Sequence, residues 1–217
     1  MLVGPLLSRF GFASIPRPGG DKIGRRRLDT HFINLERLGA KLDYNSINKT
    51  YSVYSKDGLK GSSILLDEAS VTGTANILMA SVLAEGFTSI YNAACEPYIQ
   101  QLCLLLNNMG AKVSGVGSNL LKIEGVNILG GAKHKVLPDM IEIGSWIGLA
   151  AMTKSNLRIK NVSWQNLGQI PEVFRKVGIS VNREDDDIVI PAHVNGYKIS
   201  NYIDGSILTI SDAPWPG

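Results

Sequence analysis

Cysteine is scarce. Cys95 and Cys103 are the only two in 217 residues, and they stand eight apart with neither CxxC spacing nor a histidine cluster beside them. That spacing argues against a structural zinc site and against a disulfide framework. Both thiols fall in or near an apolar helical stretch, where cysteine usually behaves as a small buried hydrophobe. Long apolar runs are also missing, so nothing in the sequence is built to span a bilayer. The opening residues, MLVGPLLSRFG, lack the basic start and small-residue cleavage site of a signal peptide. Excess charge is small: the net value is +3, too little to argue for a nucleic-acid partner from totals. Aromatic residues make up 7% and do not alternate with the basic residues, as stacking platforms for single strands require. The reading left is a soluble, cytoplasmic protein of a reducing compartment that needs no metal, membrane or nucleic acid.

What remains is ordinary globular material. Apolar residues are 44% and charged residues 19%, enough to build a packed core. The length suits one large domain or two small ones.

A pattern returns about every seventy residues. The segments LERLGAKLDYN (35–45), LLNNMGAKVSGVG (105–117) and VFRKVGISVNRED (173–185) each read as a helix end, a glycine stop and a strand. The glycines are Gly39, Gly110 and Gly178, spaced by 71 and 68 residues, which indicates internal repetition. Glycine suits the left-handed residue just past a helix end. The middle unit is the most complete. It predicts strand 61–67, a helix over 70–86 with Ser70 as its cap, strand 87–94, helix 96–110, and two closing strands: a β-α-β-α-β-β order. The third unit predicts KVLPD as its start, helices over 140–155 and 166–178, and strands around 156–162 and 179–194. The first unit opens already inside a helix (2–11), and its first strand is absent.

The chain also stops at SDAPWPG, after a strand-like piece, GSILTIS (205–211), with nothing following it. These ends predict a fragment. Gly130 and Gly131 lie where the second unit closes and mark either a domain boundary or a plain surface turn. The boundaries expected are residues 1–131 for two units and 132–217 for the next.

The stretch PRPGGDKIGRRRLDTH (16–31) carries the chemistry. Pro16 and Pro18 stiffen its approach; Gly19 and Gly20 free the tip, with Gly24 further on. Asp21 sits at the tip, followed by Lys22, Arg25, Arg26 and Arg27. Arginine's planar fork suits phosphate or carboxylate oxygens, although spacing alone fits a solvated basic face equally well. Asp29 is placed to cap a helix beginning near Thr30, with His31 in its first turn, and a helix start adds N–H donors for an anion. An aspartate is ordinarily ionised above about pH 4. It donates a proton only if a closed loop and a bound phosphate raise its pKa.

These residues, with GPLLSRFG (4–11), SVTGTANILMASVLAEGFTSIYNAACEP (70–97) and LPDMIEIGSWI (137–147), resemble the UDP-N-acetylglucosamine enolpyruvyl transferases, within the enolpyruvyl transferase family. The resemblance runs over the whole chain. It implies an α/β fold of repeated βαβαββ units with helices inside, an inside-out α/β barrel that is incomplete here, with its active site in a cleft between two lobes. It implies transfer of the enolpyruvyl group of phosphoenolpyruvate to the 3′-hydroxyl of UDP-N-acetylglucosamine by addition–elimination, a step of peptidoglycan synthesis serving cell shape and division, with no cofactor. By resemblance, Asp21 protonates the methylene carbon of phosphoenolpyruvate, and Arg26 binds that substrate. Arg27, Leu28, Asp29, Thr30 and His31 belong to the turn that meets the UDP-sugar, and Ser70 and Val71 match uridine diphosphate contacts.

The chain departs from the pattern in places. Most members carry Cys where Asp21 stands, so fosfomycin, which alkylates that Cys, is expected to fail here. Arg27 replaces a common Pro, Glu68 a frequent Lys, and Met140 an arginine of some members. Further family residues fall outside these 217, so the chain alone is expected to be inactive. Two other readings are weighed: the sister enzyme acting on shikimate 3-phosphate, and a non-catalytic lobe that binds anions. The open edge of the first unit is an expected site for an oligomer contact.

Overall fold

The computed structural model describes residues 1–19, 28–199 and 201–216. The chain divides into two compact units, Met1–Lys135 and Val136–Gly217.

The first unit holds two repeats. In the first repeat, α1 (Val3–Phe10) and β1 (Phe12–Pro16) lead to α2 (Asp29–Arg37), β2 (Lys41–Asn45) and β3 (Thr50–Tyr54). The strands form an antiparallel sheet in the order β1-β3-β2, with Ala13 opposite Val53 and Leu42 opposite Val53 on its other flank. The second repeat comprises β4 (Ser63–Leu65), α3 (Val71–Ser81), β5 (Phe87–Tyr91), α4 (Pro97–Asn108), β6 (Lys112–Ser114) and β7 (Leu120–Glu124). Its sheet runs β4-β5-β7-β6, with β4 parallel to β5 and the other pairs antiparallel.

Alternation along the strands decides which face is covered. Ala13, Val53, Ile64, Ile90, Val113, Leu121 and Ile123 point into one continuous apolar cluster with Leu7, Leu35, Leu38, Ile77, Leu78 and Cys103 from the helices. Phe12, Tyr54, Leu65, Phe87 and Tyr91 face the other way and are exposed. The helices therefore lie on the inner face of both sheets. Helix α3 is the innermost: all of Gly73–Leu78, with Ala80 and Ser81, is buried, as expected of a helix without a polar stripe.

The second unit holds α5 (Met140–Met152), β8 (Leu157–Ile159), a single 3₁₀ turn (Trp164–Asn166), α6 (Ile170–Lys176), β9 (Asn182–Glu184) and β10 (Asp187–Ile190). Its antiparallel sheet runs β8-β10-β9, around buried Ile143, Ile147, Val162, Leu167, Val181, Ile188 and Ile190. Asp139 caps α5, accepting from Ile141 N (2.8 Å) and Glu142 N (3.3 Å).

The three predicted glycine stops share one geometry. Gly39, Gly110 and Gly178 have φ of 91°, 103° and 87°. Each donates back to the helix (to Glu36, Asn107 and Arg175), and the residue after each donates to Leu35, Leu106 and Phe174. That double bond pattern is the Schellman motif, and it satisfies carbonyls the helix end leaves open.

Four expectations need correction. Leu28, not Asp29, is the N-cap of α2, because the Leu28 carbonyl already accepts from His31 N and Phe32 N; Asp29 is the first helical residue. Helix α3 ends at Ser81 rather than near 86, because Glu85 N turns to the Leu59 carbonyl and Glu85 O accepts from Gly61 N. The stretch KVLPD holds no strand, so among the described residues only the middle repeat carries the parallel first strand. Residues 205–211 are irregular: with no ladder to join, Ile207 lies 87% exposed.

Candidate functional site

The first turns of α2 and α3 meet. Ser70 is extended (φ −75°, ψ 122°), and its Oγ accepts from Gly73 N at 3.1 Å, so the hydroxyl caps α3 as its position predicts. A Cβ on Gly73 would stand 3.0 Å from Thr30 Cγ2. Glycine there lets the two helix starts close onto each other. Thr30 is buried, and its Oγ1 donates to Glu68 Oε1 at 3.2 Å. Glu68 also turns the chain into α3, since its carbonyl accepts from Ser70 N at 2.8 Å. The departure at position 68 thus has a structural role: it ties α2 to the loop that enters α3.

His31, half-buried on the same turn of α2, reaches across to α3. Its Nδ1 lies 3.3 Å from Asn76 Nδ2, and its Nε2 lies 3.5 Å from Thr72 Oγ1. Asn76 Oδ1 in turn accepts from Gly4 N on α1 at 2.7 Å. Burial holds the imidazole pKa below its usual value of 6.5, as does the Met1 ammonium, while Glu68 opposes the shift. The ring is therefore neutral at neutral pH. One turn on, Thr74 Oγ1 accepts from Ala94 N at 2.9 Å, which fixes the end of the β5 segment against α3.

The arrangement has one chemical character. Two helix starts, carrying the N–H groups of Val71 and Thr72 and partial positive charge, stand beside a neutral imidazole. That combination favours an anionic or oxygen-rich ligand and offers it hydrogen bonds.

Of the residues singled out in the sequence, Leu28, Asp29, Thr30 and His31 lie at the start of α2, and Ser70 and Val71 at the start of α3, so these six are brought together. Gly19 is described, with no atom within 4 Å of a Cβ built on it. Gly20, Asp21, Lys22, Gly24, Arg26 and Arg27 lie outside the described residues. Met140 is buried at the start of α5, where a thioether serves packing. Asn76, Thr72 and Gly4 were not anticipated. The available signal was Asn76 itself, an amide inside the apolar run TANILMASVL, since a buried amide needs partners.

The thiols are inert by environment. Burial pushes Cys103 up to about 11. Burial and the neighbouring Glu96 carboxylate raise Cys95. Among the described residues no group of His, Cys, Asp and Glu is arranged to hold a metal ion, and no helix is long and apolar enough to cross a membrane.

Comparison with known proteins gives this arrangement a context. Residues 1–214 match the family described as EPSP synthase (3-phosphoshikimate 1-carboxyvinyltransferase). Over all 217 residues the chain is 64% identical to the UDP-N-acetylglucosamine 1-carboxyvinyltransferase of Bacteroides fragilis and 62% identical to that of Porphyromonas gingivalis. The enzyme of the same name from Treponema denticola is 48% identical. Each match covers 100% of this chain and 50% of the relative, so the chain spans about half the length of the curated relatives it matches. Among solved structures, the enolpyruvyl transferase NikO from Streptomyces tendae superposes with a TM-score of 0.70 at 16% identity, over 86% of this chain and 45% of that one. An EPSP synthase from Acinetobacter baumannii gives 0.63 at 21% identity, over 88% and 45%. These two likenesses concern the fold, which is the enolpyruvyl transferase α/β fold, incomplete in this chain. By its match over nearly its whole length, the chain belongs to the EPSP synthase family of carboxyvinyltransferases.

Proposed function

We propose that these 217 residues form part of an enzyme that moves the enolpyruvyl group of phosphoenolpyruvate onto the 3′-hydroxyl of UDP-N-acetylglucosamine and releases phosphate. The observation that carries the reading is a contrast in identity. It is 62–64% to proteins named UDP-N-acetylglucosamine 1-carboxyvinyltransferase and 21% to a solved EPSP synthase. The geometry at α2 and α3 supports it, because two helix starts and a neutral His31 suit the diphosphate and hydroxyl oxygens of a sugar nucleotide.

In this reading the acceptor hydroxyl adds to C2 of phosphoenolpyruvate while C3 takes a proton. The resulting ketal then loses phosphate, and the same carbon returns a proton as the double bond re-forms. Asp21 is the proton donor, made neutral by desolvation and by the negative charge of the bound phosphate. Arg26 grips phosphoenolpyruvate in a two-point contact. Arg27, Leu28, Asp29, Thr30 and His31, with Ser70 and Val71, line the nucleotide side, and Gly19, Gly20, Lys22 and Gly24 belong to the loop that carries Asp21. Residues 1–131 supply two repeats of one lobe and residues 132–217 the opening repeat of the other. In this reading the reaction is cytoplasmic and its product enters peptidoglycan synthesis.

The test uses a protein of the relatives' full length that contains these residues. Phosphate release with both substrates is expected, and Asp21→Asn is expected to lower it by at least about a hundredfold. Near-normal turnover of that variant would remove Asp21 from the mechanism. Fosfomycin is expected to leave the enzyme active, since a carboxylate is a far poorer nucleophile than a thiolate; time-dependent inactivation would contradict this.

A further inference from the structure

We propose that Asn76 is a positioning residue: it holds the His31 ring as the Nε2–H tautomer, so that Nε2–H stands beside Thr72 at the start of α3 as a hydrogen-bond donor to the sugar nucleotide. The ligand half of this inference rests on the function proposed above; the tautomer half does not.

One group in this cluster has a polarity beyond choice. The Gly4 backbone N–H can only donate, so the Asn76 atom 2.7 Å from it is the amide oxygen. That contact exists because residue 4 is glycine. A Cβ there would fall 2.2 Å from the Asn76 carbonyl oxygen and 2.8 Å from its Oδ1, so any other residue would push α1 off α3. Asn76 is 1% exposed. Turning its amide over would face N–H with NH2 in a buried place, leaving donors with no acceptor.

With the amide so fixed, its nitrogen faces His31 Nδ1 at 3.3 Å. An amide nitrogen donates only, so Nδ1 must accept and carries no proton. The single proton of the neutral ring then sits on Nε2. Protonating the ring would set N–H against NH2 at Nδ1, which disfavours the cation in the same direction as burial does. Among the described residues, the charged groups acting on the ring are the Met1 ammonium, which also disfavours the cation, and Glu68, which favours it. Thr72 Oγ1 is 3.5 Å from Nε2, longer than a strong hydrogen bond. The Nε2–H can therefore pass to a better acceptor when one arrives.

The test is nitrogen NMR of the histidine rings in the full chain, with His31 assigned by the signal lost in His31→Gln. In the unmodified protein without ligand, His31 is expected to show a bare Nδ1 and a protonated Nε2 at neutral pH. A proton on Nδ1 would overturn the inference without any variant at position 76. Asn76→Asp keeps an oxygen for Gly4 N–H but turns the atom facing Nδ1 into an acceptor. The ring is then expected to gain a proton at Nδ1, with its titration midpoint moving upward. Unchanged His31 signals in a folded Asn76→Asp protein would also overturn it.

In the full-length enzyme the same variant is expected to raise KM for UDP-N-acetylglucosamine at least about tenfold while KM for phosphoenolpyruvate stays within about twofold. A general structural defect would move both, and that result counts against the positioning role. UDP-N-acetylglucosamine is expected to shift the His31 Nε2 signal. If it does not, the nucleotide contact is wrong, while the free-protein spectrum still decides the tautomer.

Discussion

Cys103 shows how much of a residue's chemistry is set by its surroundings. Its thiol, on α4, is fully buried in the apolar cluster of the first unit, and burial pushes its pKa up to about 11, so the thiolate is almost absent at neutral pH. An aromatic disulfide reagent is expected to leave it unmodified in the folded chain and to titrate both thiols once the chain is unfolded in denaturant; rapid labelling of Cys103 in the folded chain would refute the burial. His31 gives a pH signature with a definite sign. Its folded pKa lies below the usual 6.5, so as pH falls the unfolded chain takes the proton first. The ring's contribution to stability is complete above that pH and fades as pH drops below it. Replacing His31 by Gln is expected to flatten the acid side of the stability profile, measured as the urea midpoint against pH. An unchanged slope would contradict the shift.

Elements repeat here because one stop signal repeats. At Gly39 and Gly110 nothing lies within 4 Å of an added Cβ, so alanine there is expected to cost only the left-handed backbone strain of about 1–2 kcal/mol. At Gly178 the added carbon would also fall 2.5 Å from the Lys198 carbonyl oxygen, so Gly178→Ala is expected to cost more than either. Urea unfolding followed by helical circular dichroism orders the three; an equal cost would show that the Lys198 contact yields easily. Helix α5 uses the same closing bonds, from Lys154 N to Ala151 and Ser155 N to Ala150, with Lys154 at φ 52° where the others have glycine. Lys154→Gly is accordingly expected to hold or raise stability. The stop glycines were legible because φ constraints act locally, through residues four or five apart. The end of α3 was not, because Ser81 is followed by residues whose bonds go to Leu59 and Gly61. That competition is between distant segments, invisible to a helical period. Strand β4 was legible in its own apolar run at 64–66, whereas KVLPD carries Lys135, Pro138 and Asp139, types that strands disfavour, and Asp139 serves instead as the N-cap of α5.

At the scale of the whole molecule, the chain has the enolpyruvyl transferase α/β fold, incomplete here. In the first unit the outer faces of both sheets carry Phe12, Tyr54, Leu65 and Phe87 in the open, and the helices α1, α2 and α3 fill the inside. The consequence is that helix starts, rather than strand ends, come together and build the site. The donor chemistry proposed above rests on the loop motif alone, where Asp21 and the arginines lie within a few residues of each other; these positions fall outside the described residues. The meeting of α2 and α3 was readable only in part. Ser70 and His31 stand 39 residues apart and announce themselves by position in their helices, whereas Asn76 acts through a backbone N–H at Gly4, 72 residues away.

The proposed function stands or falls with the identity of the acceptor. The direct measurement is kcat/KM for phosphoenolpyruvate-dependent phosphate release by a protein of the relatives' full length containing these residues, with UDP-N-acetylglucosamine and with shikimate 3-phosphate as rival acceptors. The expected result is turnover with the sugar nucleotide and background release with shikimate 3-phosphate; turnover with shikimate 3-phosphate alone would contradict it.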